Sequence, residues 1–406
     1  MHHLQPLTKI IWAFVACLVI AGCAGLRPST HPAPPLVPFE KGVAALSTRL
    51  LTTVAQDRQP GGGAETVNVM LIPFADADSE QVPEISRRVE AIFIATGHAK
   101  FKNFKLARLT YQNIAQADYL ISGTIGLKAY PPGSEANGKH YQITGEACKR
   151  ATASLVGQDL VWMVGQDLVW IADQKLNYRP TAIYRDSPLY LKGSRLQAPE
   201  RSPDAPAGQY FDVSLKTMAI QIEGRMAYEK GDYEAARKLF RLAAERRDGQ
   251  DLGTYAGLYL ANHKLGRQAE ADTAFRKVVA ISVEKHRYLT VKYLYGVDSV
   301  DFLSEPGLKE RYEVWLHHIG KYFQDTEHCL HIVGHASRTG TAEYNQQLSM
   351  ERAEVVRKRL SSTSPAVYDR ITIEGRGFSQ NIVGTGTDDE NDELDRRVEL
   401  FIIECK

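Results

Sequence analysis

Between His331 and Leu360 the chain changes its hydrophobic period, and few folds accommodate that change. His331-Ile332-Val333 is a short apolar run that stops at Gly334. From Glu343 onward Leu348, Val355, Val356 and Leu360 recur at helical spacing. The segment therefore predicts strand, polar loop, helix. The loop from Ala336 to Ala342 lies beside the first turns of that helix, where unpaired N–H groups and a nearby arginine make a seat for a carboxylate. Arg352 follows about two turns into the helix, within reach of such a group with its planar fork.

The order of residues carries more than the period. GH-x-x-x-x-G begins at Gly334, followed by Tyr344-Asn345, by LS-x-x-RA-x-x-V from Leu348 to Val356, by G-x-G at Gly375 to Gly377 and by RRVE at Arg396 to Glu399. Together these motifs resemble the OmpA-type C-terminal domain, a periplasmic module that grips peptidoglycan through the diaminopimelate of its stem peptide. The resemblance covers roughly Arg287 to Lys406 and implies a βαβαββ fold. It also implies that Arg352 holds the ligand carboxylate, with Asn345 and the backbone after Gly334 shaping the pocket. Where the family places an Asp to accept the ligand ammonium, this chain has Ser337.

The N-terminus fits a protein bound for that compartment. Lys9 precedes an apolar run, Ile10 to Ala21, too short to span a bilayer, and Ile20-Ala21-Gly22-Cys23 resembles a bacterial lipobox. The resemblance implies a signal peptide over 1–22 and lipid on Cys23; Ala24 rather than Asp behind the cysteine implies an outer-membrane anchor facing the periplasm. An oxidising compartment permits a disulfide. Cys329 opens the strand leading into Gly334 and Cys405 closes the strand after RRVE, so the two are expected to pair across the sheet, leaving Cys148 as a buried thiol.

Residues 23–38 form a Pro-rich tether; Ala24 to Pro38, if extended, spans about 45 Å. Residues 39–193 read as an N-terminal α/β domain: a helix over Gly42 to Val54, a strand over Val67 to Phe74, a helix over Ile85 to Ala95 and a strand over Ala117 to Ile125. VNVMLIPFADADS and ADYLISGTI resemble envelope lipoproteins of the CsgG, FlgO and LpoB kind, whose fold binds protein partners. VGQDLVWM at Val156 to Met163 is followed at once by VGQDLVW at Val164 to Trp170. Each Gly-Gln-Asp reads as a turn, and the even spacing keeps every side chain on its original strand face. A neutral duplication explains this copy; the functional alternative is an exposed partner patch made by Trp162 and Trp170.

A Pro/Ser/Ala-rich linker follows over 194–208. Within 209–286, Gly231, Ala236 and Phe240 are answered by Gly266, Ala271 and Phe275, each 35 residues on. This resembles two tetratricopeptide repeats, a short solenoid serving as a spacer. From 287 to 406 the chain reads as strand (Thr290 to Tyr295), helix (Leu308 to Phe323), strand, helix and two further strands, with an acidic loop at Asp388, Asp389, Glu390, Asp392 and Glu393. The whole is an α+β multidomain protein.

With 406 residues, 44% apolar, and a formal net charge of +1, the composition suits globular domains and gives no support to nucleic-acid binding. Enzyme chemistry is not supported either. Ser282-Val283-Glu284-Lys285 matches S-x-x-K without a K-T-G partner, and no G-x-S-x-G occurs. Cys329, His331 and His335 share one strand face at period two, but residues spread along a pleat do not converge on a metal. The expectation is a non-catalytic lipoprotein, without metal or cofactor, that ties outer membrane to peptidoglycan and presents its other domains to an envelope protein partner. The alternatives are a regulator of a cell-wall synthase or part of a secretion or assembly machine, and then a wall hydrolase.

Overall fold

The computed structural model describes residues 35–58, 66–77, 79–130, 139–150, 154–156, 159–161, 163–173, 175–187, 189, 207–291, 293–303, 307–381, 386, 392 and 395–405. The signal segment, Cys23, most of the tether, Trp162, residues 194–206, Asp388 to Glu390 and Glu393 lie outside them.

The near-continuous apolar run Val67-Asn68-Val69-Met70-Leu71-Ile72 sets up the N-terminal sheet, because every side chain but Asn68 is apolar and both faces must be covered. The strands are β1 (Leu36–Val37), β2 (Val67–Leu71), β3 (Ala75–Asp76), β4 (Phe104–Arg108), β5 (Tyr119–Ala129) and β6 (Lys139–Lys149). Past a separate hairpin of β7 (Ser154–Val156) and β8 (Asp159–Val161), β9 (Met163–Ile171) completes the set. The sheet runs β1-β9-β6-β5-β2-β4, with β3 beside β5.

Helices α1 (Phe39–Asp57) and α2 (Ile85–Lys100) cover one face. Val43, Leu46, Leu50 and Val54, at helical spacing, meet Val69, Leu71, Ile121 and Ile143. Beyond the short α3 (Ala182–Asp186) comes α4 (Ala207–Glu229), and its Leu215, Met218, Ala219 and Ile222 close over Met70, Ile72, Leu120 and Cys148 on the opposite face. The linker expected to run to 208 thus ends inside α4, whose apolar stripe is the sheet's second cover.

The duplicated segment takes two conformations. Gly165-Gln166-Asp167, expected to turn, lies within β9 paired to Ala147, Glu146 and Gly145 of β6, while Asp159-Leu160-Val161 of the first copy forms one side of the hairpin. Trp170, which the functional alternative put in an exposed patch, is only 5% exposed and meets Tyr130 edge-on, ring centroids 5.0 Å apart.

Three helices follow: α5 (Tyr233–Ala244), α6 (Leu252–Lys264) and α7 (Gln268–Ile281), each packed on its predecessor. The 35-residue echo has a structural basis: Gly231 and Gly266 take φ of 77° and 70° just before α5 and α7. Phe240 is buried where a Cβ on Gly257 would come within 2.5 Å of its ring, so the helices close on each other there. Among the described residues no helix is long and apolar enough to cross a membrane.

The C-terminal part has β10 (Tyr288–Val291), α8 (Leu308–Gln324), β11 (Cys329–Gly334), α9 (Ala342–Thr363), β12 (Ile371–Gly375) and β13 (Val398–Ile403), in sheet order β10-β13-β11-β12. This is the expected βαβαββ order, except that the first strand stops at Val291 rather than Tyr295. Tyr293 and Tyr295 continue as buried loop residues, the latter bridging to Phe302. Its core is continuous with that of the preceding helices: Trp315 of α8 stacks on Phe275 of α7, centroids 6.1 Å apart. A disulfide joins Cys329, the first residue of β11, to Cys405 beyond β13. Cys148 is free and buried, and burial pushes its thiol up to about 12.

Candidate functional site

Two glycines decide the geometry of the loop after β11. Gly334 and Gly375 stand in register at the ends of the parallel strands β11 and β12. A Cβ on Gly334 would lie 1.9 Å from the Ser349 carbonyl oxygen, and one on Gly375 would lie 2.5 Å from the Met350 nitrogen. Only glycine lets the backbone of α9 rest on the strand ends this closely. Ser349 then accepts the Gly377 N–H at 2.8 Å and donates to the Gln346 carbonyl at 2.9 Å, tying the G-x-G segment to the helix.

The loop is held from several sides. The Ala336 N–H donates to the Gly377 carbonyl at 2.9 Å, and Asn381 donates to the Ala336 carbonyl at 3.2 Å. Asn345 donates to the carbonyls of Thr339 and Thr341 at 2.6 and 3.0 Å, which fixes the turn at Gly340, where φ is 88°. Thr341 caps α9 by accepting the Tyr344 N–H at 3.2 Å.

The four residues expected to form the seat gather around this loop, and all are buried: Ser337 at 6% exposed, Asn345 at 3%, Arg352 at 0%, with Gly334 beneath them. Asn345 is placed to shape the loop. Arg352, expected to offer an open fork, is instead enclosed. Its Nε donates to the Ser299 carbonyl at 3.0 Å, Nη1 to His335 at 3.2 Å and Nη2 to Gly296 at 3.2 Å, and the guanidinium lies 4.9 Å from the Tyr295 ring centroid. The close approach of α9 carries the arginine under the loop that precedes α8, where it joins that loop to the one after β11. Carbonyl dipoles and an aromatic face suit a buried guanidinium.

Tyr295, Gly296 and Ser299 are the residues that sequence reasoning missed. Their signal was slight: buried tyrosines alternating at Tyr293 and Tyr295, then Gly296. On the same loop Asp298 takes φ of 54° and accepts the hydroxyl of Tyr344, which with Val297 forms an exposed rim. Asp392, read as part of the acidic loop, is 0% exposed, as is Asp395 after it.

The outer face of the sheet carries two ionic clusters. Glu374 lies 2.9 Å from His331 and accepts from Arg376, and those bonds, the Arg376 one first, hold its carboxyl at about 2. Burial works to raise the Glu399 carboxyl, but His335 at 3.3 Å and Arg397 hold it at about 2. The same enclosure keeps His335 below the usual imidazole range: burial first, then Arg397, outweigh the carboxylate. Cys329, His331 and His335 do not converge, since the first is in the disulfide and the others turn to separate carboxylates. Among the described residues no group of three His, Cys, Asp or Glu could hold a metal ion. Ser282 and Lys285 form no dyad, because Lys285 donates to the Gln250 carbonyl.

Comparison with known proteins bears on the C-terminal part. Residues 304–394 match the OmpA family. Outer membrane protein 40 of Porphyromonas gingivalis is 34% identical over 89 residues, a match that spans 21% of this chain and only 23% of that protein. Among solved structures, the peptidoglycan-associated lipoprotein from Burkholderia pseudomallei is 24% identical over 29% of this chain and 90% of its own, with a TM-score of 0.24. The cell wall anchor of the T6SS from Pseudomonas aeruginosa is 22% identical over 31% of this chain and 94% of its own, again at 0.24. The C-terminal part of the chain, built on the loop and helix from Gly334 to Leu360, is an OmpA-like domain.

Proposed function

We propose that this chain is a non-catalytic lipoprotein that holds peptidoglycan through its OmpA-like domain while Cys23 anchors it, by lipid, in the outer membrane facing the periplasm. The match of residues 304–394 to the OmpA family carries the reading. The relative from Porphyromonas gingivalis, by name an outer membrane protein, agrees with the envelope location. In this proposal the N-terminal sheet, as a partner-binding domain of the CsgG, FlgO and LpoB kind, and the tetratricopeptide-like helices present surfaces to another envelope protein.

The ligand seat is the loop after Gly334, with Asn345 shaping it and diaminopimelate as the group recognised. For Arg352 to take the ligand carboxylate, its fork exchanges one of its three main-chain carbonyls for the anion. The bonds to carbonyls are already charge-assisted, and a carboxylate adds to them the attraction of opposite charges and a paired, planar geometry that matches the fork. Ser337 accepts a hydrogen bond from the ligand ammonium but does not neutralise it, which weakens binding about tenfold relative to an Asp there.

Sedimentation of the purified full chain with isolated sacculi tests this. The parent protein should pellet with the wall and release no soluble muropeptides. Arg352→Ala should stay in the supernatant, and Ser337→Asp should bind as well or more tightly. If Arg352→Ala pellets like the parent, the wall-binding assignment of the site is wrong; release of muropeptides would make the protein a hydrolase. Cys23→Ser should leave the outer-membrane fraction, and unchanged fractionation would remove the lipid anchor from the proposal.

A further inference from the structure

A cavity of about 230 Å³, lined by none of the residues of the loop after Gly334, lies between the N-terminal sheet and α4. It opens at the carboxyl ends of the parallel strands β2 and β4, bounded by Ile72 just after β2 and by Arg108, the last residue of β4. Here the connection from β2 to β4 runs through α2 on one face, while the connection from β4 to β5 packs Leu109, Ile114 and Ala117 on the other. Open sheets with parallel strands bind ligands in the crevice left at such a divergence.

The lining suits one kind of occupant. Ile72, Val82, Ile222 and Met226 make an apolar wall, and the space exceeds the roughly 150 Å³ of an engineered apolar cavity that takes up benzene. Ile222, Arg225, Met226 and Glu229 of α4 follow helical spacing, with Lys230 just past its end, so one stripe of that helix forms the wall. Both carboxylates in the lining are engaged: Glu90 with Arg108, and Glu229 with Arg87 at 3.2 Å and with the Ala182 and Ile183 N–H groups. Arg225 makes no ion pair within 4 Å among the described residues, although its charge acts on Asp251; its Nη1 donates to the Tyr184 hydroxyl at 2.8 Å, and its Nη2 is buried without a hydrogen-bond acceptor. The hydroxyl of Ser86, fully buried in the same lining, has none either. Two orphaned donors beside one apolar cavity call for an acceptor that the protein itself does not supply.

We propose that this cavity binds a small amphipathic carboxylate, its apolar body against Ile72, Val82, Ile222 and Met226 and its carboxylate on Arg225 and Ser86. Equilibrium dialysis of the full chain with labelled octanoate tests it. Octanoate should bind saturably at about one per chain, and octanol about tenfold more weakly. Arg225→Met should lose about tenfold in octanoate affinity with octanol unaffected, and Ile222→Trp should abolish both by filling the space. Thermal melts and sacculus binding of each variant report on the fold. Absence of saturable octanoate binding overturns the site, as does full binding by a folded Ile222→Trp; equal affinity for octanol, or no effect of Arg225→Met, overturns the assignment of a carboxylate.

Discussion

Trp315 donates its indole N–H to the Tyr259 hydroxyl at 2.6 Å, and each of the two residues is 2% exposed. One belongs to the OmpA-like domain and the other to α6 of the preceding helices, so a buried polar bond joins units that the sequence reads as separate. Trp315→Phe should cost about 1–3 kcal/mol, since the partner hydroxyl is left unpaired in the core. Tyr259→Phe should cost a similar amount, and the double variant less than the sum. A double-mutant cycle in urea reads the difference, and strict additivity would mean that the bond contributes nothing.

Gly334→Ala should disrupt the ligand loop more than any conservative surface change. The added methyl would meet the Ser349 carbonyl at 1.9 Å, so α9 must lift from β11. We expect a loss of about 2–4 kcal/mol in stability. Sacculus binding should fall as well, because Arg352 rides on the same helix. Gly253→Ala, where the new methyl would meet no atom closer than 3.4 Å, is the comparison for loss of a glycine without a clash.

Removing the disulfide releases a closure across 76 residues of sequence. Cys405→Ser should lower stability by about 2–4 kcal/mol, seen as an earlier denaturant midpoint. Peptide mapping of unreduced protein from the periplasm should recover Cys329 and Cys405 joined. Cys148, buried with its thiol pushed up to about 12, should resist alkylation until the protein unfolds.

Acid should weaken the domain in two stages. His335 is held below its ordinary 6.5, so the unfolded chain takes up a proton there more readily than the folded one, and stability declines as pH falls below that value. Glu399 is held at about 2 against an ordinary 4.5, so its contribution is complete above 4.5 and lost as pH falls toward 2. That second stage is on the order of 2–3 kcal/mol. Melting temperatures between about pH 7 and about pH 3 should show both stages. Glu399→Gln should flatten the lower one, and a melting temperature indifferent to pH would contradict the coupling.

The sequence was most legible where local order and tertiary packing demand the same residues. Glycine at 334 and 375, Ser349 and Ala353 serve contacts between α9 and the strand ends, so their spacing survives as a motif that can be read directly. Cys329 and Cys405 were legible for a related reason: both sit at strand ends of one small sheet. Arg352 was half legible. Its place on the helix follows from the period, but its burial depends on Gly296 and Ser299, more than 50 residues away in sequence, and on a loop with no regular pattern. The duplicated Gly-Gln-Asp misled because turn propensity is local, whereas pairing with β6 supplies hydrogen bonds to the whole of β9. Trp170 is covered by Tyr130, a contact distant in sequence that no local pattern shows.

Because α4 closes one face of the N-terminal sheet and also begins the helical stack, no cut near residue 208 yields two intact pieces. Severing before α4 would leave Met70, Ile72, Leu120 and Cys148 facing water on one fragment and Leu215, Met218 and Ile222 on the other. Severing after α4 would strip Tyr228 from the core it shares with Phe240 and Tyr259. Fragments designed at the composition change would aggregate through these stripes, whereas a recombinant piece that keeps α4 joined on both sides retains both stripes under cover.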